Sequence, residues 1–547
     1  MITKIKNCAF LRPHSRYRAY PLPFGSKRAK LERCIVNCAL CIVNCAFSLL
    51  SITASAQEVS VGTYKYADET QLWQLTRNAA GLSLDSAANR GIAWFDYSHQ
   101  DGDLHRVQDG GMNNSLAFFT ERYQKIGKYL YGYGSFRFDM GRTKDRAWSD
   151  VIRSHNSNPF ISGSSVAGKY DNQDFSLNAS LASVPLSGFT YGANLLYKVG
   201  DLSRLRDPRS RINLAEYRVT PAVTYSTGSS AFGLAAHYDR RKEKLPSLTT
   251  VQTDPNLKYY VMTGMENATG TIGGYNGYMR EYVDHEFGAE LTYGYSGKHF
   301  RTLNSLTLAH GTEYVYGTNK YEPGRYFNNK YGFSTRNRLT SGRLLHSADL
   351  TLNYEEGYAD EYRQQRIAKT DSVTGFNSIS WHTVFTYKKR YQMKKTDLTL
   401  RYRCSVADRQ AVKSYFGITA TLQSVTNRHL LNTSELKYAS THLLLEGGLP
   451  LIGRHLWAEA KAGYYFATKA DLTLADATTD YAQAVLLPDM NILDKNFFDG
   501  QLKITCQLPI TIKQYTRNWF ASIYGHYAAA KDNLNRYQLG VAIGLYY

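Results

Sequence analysis

The chain has 547 residues with 43% hydrophobic side chains, 44 Tyr and 42 Gly against 13 Pro and 8 Met, and a formal net charge of +19. Its mean hydropathy of -0.42 excludes a bundle of membrane helices, each of which needs about 20 consecutive apolar residues, but not spanning strands that alternate polar and apolar side chains. Nor is the charge a nucleic-acid signal: Lys4, Lys6, Arg12, Arg16, Arg18, Lys27, Arg28, Lys30 and Arg33, offset only by Glu32, put +8 on residues 1–56 and leave a diffuse +11 on the other 491, with no basic helix or RNA-binding signature.

Lys27, Arg28, Lys30 and Arg33 precede a mostly apolar stretch, 34–50, followed by small residues at Ala54 and Ala56 in an Ala-x-Ala cleavage pattern. Residues 1–56 therefore read as a signal-peptide region removed on export, 57–89 as an amino-terminal arm and 90–547 as the folded body. Five of the seven cysteines (Cys8, Cys34, Cys38, Cys41, Cys45) fall in the leader. Asn37 and Asn44 stand where a lipobox needs a small residue, so no lipid anchor is read there. Cys404 and Cys506 remain, enough for one disulfide but not for a disulfide-built fold.

Residues 69–82 (ETQLWQLTRNAAGL) read as a short helix closed by Gly81, with Leu72, Trp73, Leu75 and Ala79 able to tuck into a barrel mouth. A periplasmic arm is the alternative. From Gly91 onward, segments of about ten to fourteen alternating residues are separated by turns that are short and long by turns, the rhythm of an up-and-down antiparallel barrel. The clearest segment sets Tyr129, Tyr131 and Tyr133 on one face and Leu130, Phe136, Phe138 and Met140 on the other. Short turns are expected at 185–188, 227–230, 296–298 and 449–454, and long loops at 141–172, 241–282, 358–377 and 471–494. Both chain ends then lie on the periplasmic side. Reading 378–390 and 395–406 as separate strands breaks the alternation between 405 and 436. The count expected is about 18 to 20 strands, within a range of 16 to 22.

Two loops carry unusual chemistry. One gathers Tyr259, Tyr260, Tyr275, Tyr278 and Tyr282 with Gly264, Gly270, Gly273, Gly274 and Gly277, a composition suited to an inward constriction or an outward aromatic platform, and equally to an ordinary surface loop. The other holds Arg204, Arg206, Arg209 and Arg211, which could attract anions or lipopolysaccharide phosphates or anchor the membrane surface. His155-Asn-Ser157 resembles the His-x-Ser element of outer-membrane phospholipases, although Pro159 places it in a loop and one such triplet is expected by accident. His285-Glu286 lacks the second histidine of a zincin, and Asp101, Asp103 and Asp109 lack calcium-loop spacing. No nucleotide-binding loop is present, and neither cofactor nor metal is implied.

The last strand alternates Tyr537, Leu539, Val541, Ile543, Leu545 and Tyr547 with Gln538, Gly540, Ala542, Gly544 and Tyr546. It resembles the carboxy-terminal signal read by the barrel-assembly machinery, which implies delivery to the outer membrane. Arg77-Asn-Ala-Ala-Gly-Leu82 resembles, over six residues and with Ala79 in place of the proline, the Asn-Pro-Ala-Gly hatch element of FadL-like transporters of hydrophobic molecules; hatch residues would be Leu72, Trp73, Asn78 and Gly81. The mature chain as a whole resembles a Bacteroidota family of outer-membrane barrels of about 500 residues, through the 72–82 opening, Trp148-Ser-Asp150, Asn158-Pro-Phe160 and the terminal strand. That resemblance implies nutrient uptake without covalent chemistry, as a channel or as an accessory to a TonB-dependent receptor or surface lipoprotein. A FadL-like carrier, a lumen-plugged scaffold and a phospholipase-like enzyme are the alternatives.

Overall fold

The computed structural model describes residues 59–547 except 86–88, 252–256, 273–276, 371–374, 376, 454 and 513–514. The leader reading and its five cysteines lie outside the described residues.

The chain enters through helix α1 (Val61–Thr70) and then builds β1 (Arg90–Gly102), β2 (Met112–Ile126), β3 (Leu130–Arg146), β4 (Ser162–Ser164), β5 (Gly168–Ser183), β6 (Phe189–Arg204), β7 (Arg211–Thr227) and β8 (Ser230–Leu245). There follow β9 (Lys258–Gly264), β10 (Asn267–Ile272), β11 (Arg280–Ser296), β12 (Phe300–Tyr316), β13 (Gly324–Ser341), β14 (Leu344–Thr370), β15 (Asn377–Asp408) and β16 (Ala411–His429). The last are β17 (Ser434–Ile452), β18 (Leu456–Thr473), helix α2 (Leu487–Leu493), β19 (Phe497–Ile512), β20 (Tyr515–Ala530) and β21 (Asn535–Tyr546).

Eighteen of these strands form one antiparallel sheet, which closes because β1 pairs with β2 on one side and β21 on the other. Closure gives each of the eighteen strands a partner on both sides within the barrel wall. β4, β9 and β10 make a separate small sheet. Among the described residues no helix is long and apolar enough to cross a membrane.

The period-2 alternation decides which side chains face out. On β21, Leu539, Val541 and Ile543 are exposed on the outer face, while Tyr546 is buried on the lumen face. The outer face of β1 to β5 carries a row of touching rings: Phe95 to Phe118 at 4.7 Å, Phe118 to Phe136 at 6.2 Å, and Phe138 to Phe175 at 4.7 Å. The lumen face is polar, as where Ser305 and Ser334 meet across strands at 2.8 Å. Turns at one rim are tight. Gly228 and Gly342 open two of them with φ of +54° and +60°, a conformation that costs a side-chain-bearing residue about 1 kcal/mol or more. Arg409 and Gln410 take positive φ at a third, the pattern of a type I′ hairpin.

The 18 strands fall within the expected count, and four expectations are corrected. Segments 378–390 and 395–406 are one strand, the 32-residue β15, which removes the break in alternation and puts the turn at 449–454 on the tight-turn rim. The expected loop at 358–377 is hairpin instead, because β14 continues to Thr370. There β14 and β15 pair with each other from Tyr362↔Thr386 to Thr370↔Asn377, beyond the last rungs to their neighbours at Gly324↔Glu361 and Tyr391↔His429. Cys404 and Cys506 are free thiols on non-adjacent strands rather than a disulfide. The helix expected at 69–82 lies earlier, at Val61–Thr70, and only single 3₁₀ turns follow, at Trp73–Leu75 and Ala79–Leu84.

Candidate functional site

Two inserts occupy the lumen. The first is the segment 59–85. Ser60 and Thr63 cap each other at the start of α1: the Thr63 N–H donates to Ser60 Oγ at 3.3 Å and the Ser60 N–H to Thr63 Oγ1 at 2.6 Å. The helix ends where Asp85 folds back on it and accepts the backbone N–H groups of Leu72, Trp73 and Gln74 at 3.0, 3.3 and 2.9 Å. A carboxylate taking three N–H groups competes with helical hydrogen bonding, which is why 69–82 does not continue as α-helix. Burial nevertheless raises the Asp85 carboxyl to about 6 against those N–H donors.

Polar contacts hold this segment to the wall. Glu69 accepts from Ser347 at 3.2 Å, Ser405 at 3.0 Å and Arg403 at 3.0 Å. The Val61 N–H donates to Gln507 Oε1 at 3.0 Å, and Lys65 pairs with Glu459. Asn78 is fully buried; its Nδ2 donates to Thr224 and Thr292 at 3.0 and 3.1 Å, and its Oδ1 accepts from the Ala80 N–H at 3.1 Å. The expected hatch residues Leu72, Trp73, Asn78 and Gly81 are all buried here. Two glycines make room for the Trp73 indole, since a Cβ would stand 2.0 Å from it at Gly81 and 2.8 Å at Gly294. Glu69, Arg77 and Asp85 were not singled out from sequence, although charged residues in an otherwise apolar stretch were the available signal.

The second insert closes over the opposite rim. Loops 147–167, 246–279 and 474–496 share one apolar core that includes Trp148, Phe160, Tyr260, Met262, Tyr481 and Val485. Trp148 packs on Tyr260 at 4.3 Å and on Tyr481 at 5.5 Å, and β9 joins β4 and β10 within it. Gln108 donates to Trp148 O at 3.0 Å and to the Tyr481 hydroxyl at 3.2 Å. Asp489 of α2 accepts the Val107 N–H at 2.8 Å, and burial raises its carboxyl.

This settles the posture of the tyrosine loop. Tyr259 and Tyr260 are buried, Tyr278 packs at a tilt against Tyr259 at 5.2 Å, and Tyr282 donates to Phe160 O at 2.8 Å, so the loop folds inward; Tyr275 lies outside the described residues. The four arginines are not brought together. Arg204 is buried, donating to the Tyr170 hydroxyl at 3.1 Å and to Val166 O at 2.7 Å; Arg209 pairs with Asp207 at 3.0 Å, Arg211 with Asp201 at 2.6 Å, and Arg206 is exposed. His155 meets Asp109 at 3.0 Å. Among the described residues no cluster of His, Cys, Asp and Glu is arranged to hold a metal ion. Tyr547 extends the terminal strand by exchanging backbone hydrogen bonds with Gly91 at 2.6 and 3.0 Å.

Beside the first insert, against β11 to β15, lies a chamber of about 380 Å³ whose lining includes Leu75 and Arg77 of that insert together with Glu286, Glu290, Lys330, Arg336, Glu355, Lys395 and Asp397 of the wall. Lys330 pairs with Glu286 at 2.6 Å and Lys395 with Asp397 at 2.8 Å. The other charges meet neutral groups. Arg336 donates to Leu75 O at 3.2 Å, Arg77 Nη1 lies 3.0 Å from His237 Nε2, Glu290 accepts the Arg77 N–H at 3.2 Å, and Glu355 accepts from Asn328 at 3.1 Å. The chamber can therefore hold water or a solute between charges of both signs. A profile for one protein family covers residues 79–547, which takes in every barrel strand and the last seven residues of the inner insert. The chain belongs to the family of unknown function DUF6850.

No curated protein matches this DUF6850 member. Its fold is similar to those of the ferric citrate transporter FecA in the unliganded form (8% identity, 83% of this chain and 78% of that one, TM-score 0.38) and of OpdK from Pseudomonas aeruginosa with vanillate (8%, 84% and 98%, 0.34). It is also similar to the FrpB iron transporter from Neisseria meningitidis (9%, 86% and 83%, 0.36). At these scores the likenesses carry nothing about activity.

Proposed function

We propose that this protein is an outer-membrane barrel taking part in uptake of a polar solute, with residues 59–85 serving as a displaceable hatch at the periplasmic end. The observation that carries the reading is the charged chamber that the inner insert and the barrel wall line together. A closed even-stranded barrel with an apolar, aromatic-rich outer face suits a bilayer, where every backbone group must be paired internally. Assembly would run through the barrel-assembly machinery, with lipid and lipopolysaccharide around the wall. A FadL-like role for hydrophobic molecules is disfavoured by the charged lining. No covalent chemistry is assigned.

The test is ion conductance in planar bilayers of the intact protein and of a variant lacking 59–85. A larger current in the variant is expected; equal currents would overturn the hatch. The apolar core of the mouth insert favours a second reading, an accessory barrel with a fixed outer plug serving a TonB-dependent receptor or surface lipoprotein. A stable partner on purification from native membranes, with no current even after hatch removal, would establish that reading over the first.

A further inference from the structure

The outer face of β8, β11, β12 and β13 changes character in steps toward the mouth. Sheet register lines up Leu234, Leu291, Leu306 and Phe333, all exposed, in one cross-strand row. Two rows nearer the mouth, Tyr238 packs on Phe287 at 4.8 Å, and its hydroxyl meets His285 Nδ1 at 2.8 Å. Apolar and then aromatic is the order of a barrel wall passing from hydrocarbon into a membrane interface.

Above that girdle the charges do not balance. Glu281 takes three ammonium groups, Lys242 at 3.2 Å, Lys320 at 3.5 Å and Lys244 at 3.7 Å. Glu322 is engaged by Arg325 at 3.0 Å, and among the described residues Arg240 has no carboxylate oxygen within 4.0 Å. By contrast, Arg142 with Asp171 and Arg211 with Asp201 pair one to one on the outer face of β3 to β7, each at 2.6 Å. The cationic surplus adjoins a groove of about 470 Å³ on the outer face between β11 and β12, whose lining includes Val283, Phe287, Thr312, Tyr314 and Tyr316. Lys320 stands over the Tyr316 ring at 4.6 Å, and Tyr316 lies opposite Glu281 in the ladder, so the lysines stand at the mouth-side end of the groove. A mainly aromatic and apolar groove that is cationic at one end matches an amphiphile with an anionic head, since only such a ligand gains both apolar burial and charge pairing there.

We propose that this groove holds a phosphorylated glycolipid of the outer leaflet, one acyl chain between β11 and β12 and a phosphate at Lys242, Lys244 and Lys320. This rests on the outer-membrane orientation of the uptake reading, in which the mouth is the external rim, and adds to it a lipid site on the wall.

The experiment is a titration of the detergent-solubilised full chain, followed by native mass spectrometry, with diphosphorylated lipid A, the same lipid with its phosphates removed, and phosphatidylglycerol. Diphosphorylated lipid A should bind at least tenfold more tightly than either control, and excess inorganic phosphate should not displace it. Lys242→Gln, Lys244→Gln and Lys320→Gln together should weaken it about tenfold, and so should Thr312→Trp, which fills the groove. Arg211→Gln, which opens a one-to-one ion pair, should leave it unchanged. Heat-dependent gel mobility shows that each variant is folded. Equal binding of the dephosphorylated lipid or of phosphatidylglycerol, displacement by inorganic phosphate, or full binding by the lysine or Thr312 variants would each overturn the proposal. Conductance is measured separately, so a barrel that binds lipid A without hatch-dependent current sinks the uptake reading and spares this one.

Discussion

The two inserts fill one lumen with different proportions of polar and apolar contact. Residues 59–85 set Val61, Leu72, Trp73 and Leu82 into three small apolar clusters with the wall and add carboxylate and amide contacts to its hydroxyls and guanidinium groups, whereas the mouth loops bury Trp148, Phe160, Tyr260 and Tyr481 against each other and against Tyr326 and Met393 in one larger core. Net hydrogen bonds contribute about 1 kcal/mol each, and the groups they leave can be rehydrated in a wet lumen. A shared aromatic core loses several kcal/mol when opened, with no water-borne substitute. On the proposed uptake reading, the smaller apolar clusters make the inner insert the one to move and the larger core makes the outer insert part of the fold.

The largest effect expected is on the outer side. Trp148→Ala should destabilise the barrel by about 3–5 kcal/mol, the usual loss for a buried tryptophan, read as a lower temperature for the heat-induced mobility shift. If it unfolds no more readily than a hatch variant, the contrast collapses. Next is Gly294→Leu, whose side chain has no room beside the Trp73 indole: the barrel should stay folded while the hatch leaves, raising bilayer current and opening 59–85 to added protease. A protected hatch in that variant would mean that the notch is not what seats it. Asn78→Ala should weaken the hatch by about 1–3 kcal/mol, because Thr224 and Thr292 lose a buried donor; limited proteolysis measures it.

A pH effect sharpens the same contrast. Asp85 has a carboxyl raised from the ordinary 3.8 to about 6 in the docked hatch, so the docked state binds a proton that the released state does not between those values. Docking should tighten as pH falls from 7 toward 4 and lose that contribution as pH rises through 6. Protease cleavage within 59–85 should be slower at pH 5 than at pH 7, and Asp85→Asn should reduce the difference and leave the part due to Asp68, whose carboxyl burial also raises to about 6. The smallest effect is Arg206→Ala, an exposed position expected to move stability by less than about 0.5 kcal/mol, checked by the same mobility shift.

The barrel was legible because alternation is local: each of Leu539, Val541 and Ile543 states its own face in the sequence. Strand length was not. Lys389 takes φ of +51° where 378–390 joins 395–406, yet the ladder to β14 holds on both sides and the chain runs on as one strand. The hatch was legible in its apolar residues, which carry a burial signal, and not in Asp85, whose role is set by backbone N–H groups eleven to thirteen residues away. The chamber could not be read at all, since Arg77, Arg336 and Glu355 come to line one space only through sheet register and the return of the amino-terminal segment.

The paired ends of β14 and β15 outreach their neighbours by about nine rungs, roughly 30 Å. The same two strands carry Ser347, Arg403 and Ser405, the groups that grip Glu69. Tension applied at the tip would therefore load the ladder in shear, many rungs sharing it at once, and run through a continuous backbone to the seat of the hatch. The hairpin is a stiff handle whose far end is anchored beside the inner door.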